Sequence, residues 1–251
     1  MISYSFDHFY EDLMTHIKNK IPFSHIRFGD GDGIVIGYPE FTNEIRTKQR
    51  WDKWLGNTNI NMKEFAIKIR DSVKNCDILG MPCKRHLLIN KDWRNVLTFV
   101  NKYNLLTNDQ KICCMDCVLE LQKRHLFGEI ISYFDEIYCI TCRNVRGKLE
   151  EIYKKNVVVF ELPPQNVPFM GEVLTNEPHY PNRFKAFGSW INKIEPYKKL
   201  FLVGAGGLGK IYCSAIKNLG GIVLDIGSIF DGWAGLGTRS HLRKEIEVYK
   251  L

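Results

Sequence analysis

The chain has 251 residues, 45% hydrophobic and 25% charged, with a formal net charge of +7. That size and balance fit a soluble globular protein of one large domain with a substantial core or two small ones, and no apolar run approaches the roughly eighteen residues a helical membrane span needs. The positive charge is spread thinly, densest at Lys198-Lys199 and from Arg239 to Lys244, with no aromatic-interleaved pattern of an RNA binder, so nucleic acid is not an expected partner.

The opening MISYSFDHFYEDL is acidic and aromatic and lacks the basic start of a secretory leader. A cytoplasmic location is expected, with contact at the membrane's inner face at most. Apolar residues at helical spacing, Phe6, Phe9, Tyr10 and Leu13, begin a helix over 6–19 that packs on its own core or on a partner. Short apolar runs then alternate with longer amphipathic ones. Strands are predicted at 24–28, 77–81, 111–115, 136–142, 157–162, 200–203 and 222–226. Helices are predicted at 42–55, 63–75, 93–104, 118–127, 146–154, 183–194 and 208–218. The strands are apolar throughout, as expected when helices cover both faces of a parallel sheet. The pattern predicts an α/β fold: a single doubly wound, mostly parallel, Rossmann-like sheet with helices on both faces, in one domain spanning 1–251.

Ligands of such sheets bind at the carboxyl ends of the strands. Asp30, Asp32, Asp116, Gly204 and Asp225 all fall there. The most informative segment is Ile26-Arg27-Phe28-Gly29-Asp30-Gly31-Asp32-Gly33. It sets two carboxylates two residues apart in a glycine turn, a pattern of hard oxygen ligands suited to Mg²⁺ or Mn²⁺ shared with substrate phosphates. An Asp-Gly turn with a purely conformational role is the alternative.

Two Cys-x-x-Cys pairs, Cys114/Cys117 and Cys139/Cys142, have a zinc-ribbon separation. The second continues an apolar run that reads as a strand, where residues three apart face opposite sides, and neither pair has an adjacent glycine. Structural zinc at these pairs is not expected, nor are disulfides. The stretch 163–182 contains five prolines and reads as a lid or acceptor loop bringing His179, Tyr180 and Arg183, or as a passive surface excursion.

Gly204-Ala205-Gly206-Gly207-Leu208-Gly209-Lys210 matches G-x-G-x-x-G between a strand and a helix, with Asp225 ending the next strand. Backbone amides of Gly204, Gly206 and Gly207, with Lys210, are candidates to approach a phosphate. A tight turn that needs small residues is the alternative. Asp225 and Asp231 are candidate general bases or partners of a metal or ribose.

Together these ends resemble the GT-D type of bacterial glycosyltransferases, a family first catalogued as a domain of unknown function. The resemblance rests on Arg27-Phe28-Gly29-Asp30-Gly31-Asp32, which matches that family's Arg-Phe/Tyr-Gly-Asp-Gly-Glu block. It rests also on the later glycine turn, Gly220, and Asp225-Ile226-Gly227. It covers about a fifth of the chain and leaves 40–195 unaligned. The resemblance implies a metal-dependent transfer of a sugar from a nucleoside diphosphate sugar to a glycan or lipid-linked acceptor, in surface polysaccharide or glycoprotein glycan synthesis. In it Asp30 and Asp32 hold Mn²⁺ or Mg²⁺, and Arg27 and Gly29 face the nucleotide. Asp32 stands where the family has Glu, which shortens the reach by one methylene. Ser228 stands where the family tends to have His. Rival readings are an NAD(P)- or ATP-dependent enzyme built on 204–209, and a non-catalytic α/β binding domain.

Overall fold

The computed structural model describes residues 4–56, 59–89, 92–165 and 170–251. Seven strands form one sheet: β1 Phe23–Arg27, β2 Ile78–Met81, β3 Lys111–Cys114, β4 Glu136–Thr141, β5 Asn156–Glu161, β6 Leu200–Val203 and β7 Ile222–Asp225. Every pairing is parallel, in the order β3-β2-β1-β7-β6-β4-β5.

The continuous apolar runs have a direct cause. Along β6, Phe201 and Val203 join one buried cluster while Leu200 and Leu202 join the other. Successive side chains of a strand point to opposite faces, so a sheet covered on both sides needs apolar residues at every position. Helices Glu44–Leu55, Met62–Lys74, Asp92–Lys102, Phe184–Ile194 and Gly209–Asn218 supply one layer. Phe6–Asn19, Cys117–Lys123, Phe127–Ser132, Arg146–Tyr153 and Ile229–Trp233 supply the other. The amino-terminal helix places Phe9 and Leu13 in its own core, both fully buried.

Two expectations are corrected locally. The helix expected over 118–127 is two helices, because His125 adopts a left-handed φ of 56° and breaks the run. The loop expected after β1 turns at once into a five-residue helix, Asp32–Ile36, too short for periodicity to reveal.

The chain lays down β1, β2 and β3 outward, crosses to β4 and β5 at the far side, and returns through β6 and β7. Strands from opposite ends of the sequence therefore meet in the middle, with His25 in register with Leu224. Such a switch in strand order leaves a crevice at the carboxyl ends.

Candidate functional site

β1 ends at Arg27, β7 at Asp225, and the turn after β6 leads into the helix carrying Lys210. These three elements converge on one ionic cluster. Lys210 Nζ lies 3.1 Å from Asp32 Oδ2 and 3.7 Å from Asp225 Oδ2, and Arg27 Nε lies 3.5 Å from Asp225 Oδ1. The side chains of Lys210 and Asp32 are only 6% and 2% exposed. Charges this deep persist only when paired, and here two cations face two carboxylates.

Burial works against the Lys210 charge, but Asp32 and Asp225 outweigh it and raise the pKa above the ordinary lysine value. Burial pushes the Asp32 carboxyl up from its usual range, against the pull of the ammonium and of the Gly29 amide. That amide donates to Asp32 Oδ2 at 2.5 Å. The other oxygen, Asp32 Oδ1, is buried and has no hydrogen-bond partner.

The glycines let neighbouring groups pack closely around this cluster. Gly227 has φ +48°, and a Cβ there would fall on the Arg27 guanidinium. A Cβ on Gly204 would meet the Phe230 ring at 2.7 Å and the Gly227 carbonyl at 3.0 Å. Gly206 also has positive φ, +57°, and opens a single 3₁₀ turn, Gly206–Leu208, before helix Gly209–Asn218. A Cβ on Gly207 would fall on the Trp54 ring.

The structure thus brings Arg27, Gly29, Asp32, Gly204, Lys210 and Asp225 together. Asp30 lies in the same turn but is exposed, while Asp32 is buried. Lys210 turns inward onto carboxylates. Asp225, the residue a dinucleotide reading would give to a ribose, is turned onto Arg27 and Lys210. Asp231 sits apart from this cluster of contacts: Arg143 Nε donates to its Oδ1 at 2.6 Å and Thr238 donates to its Oδ2.

The loop residues are anchored more firmly than a lid requires. His179 is buried with Nε2 2.9 Å from the Tyr212 hydroxyl, and burial depresses its pKa to about 3. Arg183 donates to the Glu161 carbonyl at 2.8 Å, and Tyr180 packs edge-on against Phe65. Within the loop, 166–169 lie outside the described residues.

Sequence reading missed Arg50 and Trp54, one turn apart on helix Glu44–Leu55. A Cβ on Gly31 would meet the Arg50 guanidinium at 2.6 Å, and the Trp54 ring covers Gly207. Their i, i+4 spacing on one helix face was the available signal, but nothing in the sequence tied that face to the glycine turns.

A family model described as the GT-D fold-like domain matches residues 5–233. No curated protein matches this chain. A solved structure described as a new glycosyltransferase, domain of unknown function 1792, from Streptococcus sanguinis, is 12% identical, with a TM-score of 0.53 over 92% of this chain and 83% of that one. Another, described as showing that domain 1792 has a distinct glycosyltransferase fold, is 12% identical with a TM-score of 0.52, covering 89% and 79%. A selenomethionine-substituted structure of domain 1792 is 11% identical with a TM-score of 0.54, again over 89% and 79%. At such identities the likeness is one of fold. No described helix is long and apolar enough to cross a membrane.

Proposed function

This chain belongs to the GT-D-like family, and from that premise we propose a glycosyltransferase that moves a sugar from a nucleoside diphosphate sugar to a hydroxyl of a glycan or lipid-linked acceptor. The observation that carries the reading is Asp32 Oδ1, a buried, unpartnered carboxylate oxygen at the switch point of the sheet. An orphaned buried acceptor costs roughly 1–3 kcal/mol, which a bound cation would recover.

Asp32 and the exposed Asp30 fit Mn²⁺ or Mg²⁺, ions that take hard oxygen donors and fill the rest of their shell with water and phosphate. When bound, the ion supplies Lewis-acid stabilisation of the charge that grows on the leaving diphosphate.

The remaining work falls to the chain itself. Arg27 and Lys210 hold two positive charges beside the crevice, and Asp225 fixes both in place through its two oxygens. The Gly206 turn has no side chains of its own but lies under Trp54 and Gln165, so a phosphate reaching its backbone amides would have to displace them. Asp231 orients Arg143, and as a base for the acceptor it would first have to release that bond. A cytoplasmic site of action is part of the same reading.

The test is calorimetric binding of a panel of nucleoside diphosphates in Mn²⁺ and in EDTA. One diphosphate is expected to bind only with Mn²⁺; at 100 times its Kd it should add about 2.7 kcal/mol of stability. Unchanged Mn²⁺-dependent binding and turnover in Asp30→Asn and Asp32→Asn would remove the metal assignment. One observation favours a second reading: Lys210 Nζ already lies between Asp32 and Asp225. In that reading Arg27 and Lys210 carry the diphosphate charge alone, and binding persists in EDTA but collapses in Lys210→Met.

A further inference from the structure

Beside the crevice, the loops after β2 and β3 bring together four side chains that the transfer chemistry does not use. β2 and β3 run in register, Met81 opposite Cys114, and the Met115 amide donates to the Met81 carbonyl at 2.9 Å. Both loops therefore leave the sheet at one height. Cys83 follows β2, His86 lies in helix Lys84–Ile89, Cys114 ends β3, and Asp116 follows at once.

We propose that Cys83, His86, Cys114 and Asp116 bind one thiophilic divalent cation, Zn²⁺ by preference, as a structural site. One ligand atom from each residue lies within 4.8 Å of the other three. Cys83 Sγ is 3.1 Å from His86 Nδ1, His86 Nε2 is 3.1 Å from Asp116 Oδ2, and Cys114 Sγ is 3.8 Å from the same oxygen. With Zn–S near 2.3 Å and Zn–N or Zn–O near 2.0–2.2 Å, tetrahedral ligand atoms stand about 3.3–3.8 Å apart. Only the widest separations need to contract, by about an ångström. His86 Nδ1 faces Cys83, whose amide donates to it at 3.2 Å, and Nε2 faces Asp116, so binding one ring nitrogen requires the ring to shift while the other keeps a hydrogen-bond partner.

Ligand chemistry separates this site from the aspartate turn. Two thiolates and an imidazole select Zn²⁺ over Mg²⁺ or Mn²⁺. Charge closes as well: two thiolates and a carboxylate face the dication and the Arg85 guanidinium, whose Nε donates to Asp116 at 3.0 Å. Four protein ligands leave no open position, which marks a structural centre rather than a catalytic one. The side chains of His86 and Asp116 are only 12% and 9% exposed.

The site also has a mechanical connection to the crevice. The His86 ring packs on Trp93 at 5.1 Å, in helix Asp92–Lys102. That helix lies flush against Asp32–Ile36, where a Cβ on Gly33 would meet the Val96 amide nitrogen at 2.8 Å. A cation tying Cys83 and His86 to β3 would steady the helix on which the Asp32 turn rests.

The experiment is titration of the metal-stripped full chain with Zn²⁺ and, for its spectrum, Co²⁺. One equivalent should bind, Co²⁺ should give a thiolate-to-cobalt charge-transfer band, and Zn²⁺ should shield two of the eight cysteines from a thiol reagent in the folded protein. The Cys83→Ser/Cys114→Ser double variant should lose at least a hundredfold in Zn²⁺ affinity, while Asp30→Asn keeps it. Absence of the charge-transfer band in the wild-type chain overturns the site whether or not the variant folds. So does a double variant that still takes up one equivalent with unchanged affinity. None of these readouts depends on glycosyl transfer.

Discussion

Two groups of ionisable side chains lie at the carboxyl ends of one sheet, and they satisfy buried charge in opposite ways. In the crevice between β1 and β7, carboxylates are neutralised by the chain's own Lys210 and Arg27. At the β2–β3 edge, thiols and an imidazole gather around Asp116, and the nearest cation, Arg85, is 65% exposed. The crevice is thus complete in charge and incomplete in hydrogen bonding, since Asp32 Oδ1 is orphaned. The edge is rich in soft donors. A hard-ion, phosphate-directed role suits the first and a soft-ion, structural role the second.

The sharpest way to break this contrast is Lys210→Met. Removing the shared cation strands Asp32 and leaves Asp225 to Arg27 alone, and loss of one partner of a buried pair costs about 3–5 kcal/mol. Chemical denaturation should show that loss; a change below about 1 kcal/mol would mean the cluster is wetter than its burial implies. Next comes Gly207→Ala, whose Cβ falls on Trp54. Overpacking of this kind costs about 1–3 kcal/mol, read as a lowered Tm, and pairing it with Trp54→Ala should recover most of the loss.

A third test contrasts two histidines. Burial depresses His25, beneath the crevice, to a pKa of about 3, whereas Asp116 outweighs burial at His86 and raises it. A buried histidine that resists protonation makes the unfolded state bind more protons. His25 should therefore remove about 1.4 kcal/mol of stability per pH unit as pH falls from about 6.5 towards 3. His86 contributes with the opposite sign: its stabilisation is full below the unfolded pKa and fades as pH rises through the folded one. NMR titration should show His86 protonating well above His25, and the reverse order would undo the contrast. The smallest effect is expected from Arg85→Ala. An ion pair with so exposed a partner is worth about 0.2–1 kcal/mol, and a larger loss in metal-free protein would show that the edge, too, depends on a cation of its own.

The fold was readable in the sequence because parallel strands covered on both sides leave uninterrupted apolar runs. All seven runs became strands within two residues of the predicted ends. Much of the crevice was readable too, because Arg27 to Asp32 and Gly204 to Lys210 are contiguous segments at strand ends. The inward turn of Lys210 onto two aspartates was not, since one of them stands far away along the chain. Nor was the edge cluster. Spacing drew attention to Cys114/Cys117 and Cys139/Cys142, but on its strand Cys139 faces one core and Cys142 packs against the other. The side chains that do meet come from different loops, Cys83-x-x-His86 and Cys114-x-Asp116, and only the alignment of β2 with β3 unites them.

Arg27 and Asp225 are 198 residues apart and meet because β1 and β7 are neighbours. During synthesis, β1 must wait for nearly the whole domain to be made before its inner edge can be closed. Contacts of such long range are slow to form and leave an unpaired edge exposed in the meantime. A nascent chain stopped before β7 would carry half of the ionic cluster and an open sheet at its centre, so the cluster and the closed sheet are completed in the same late step.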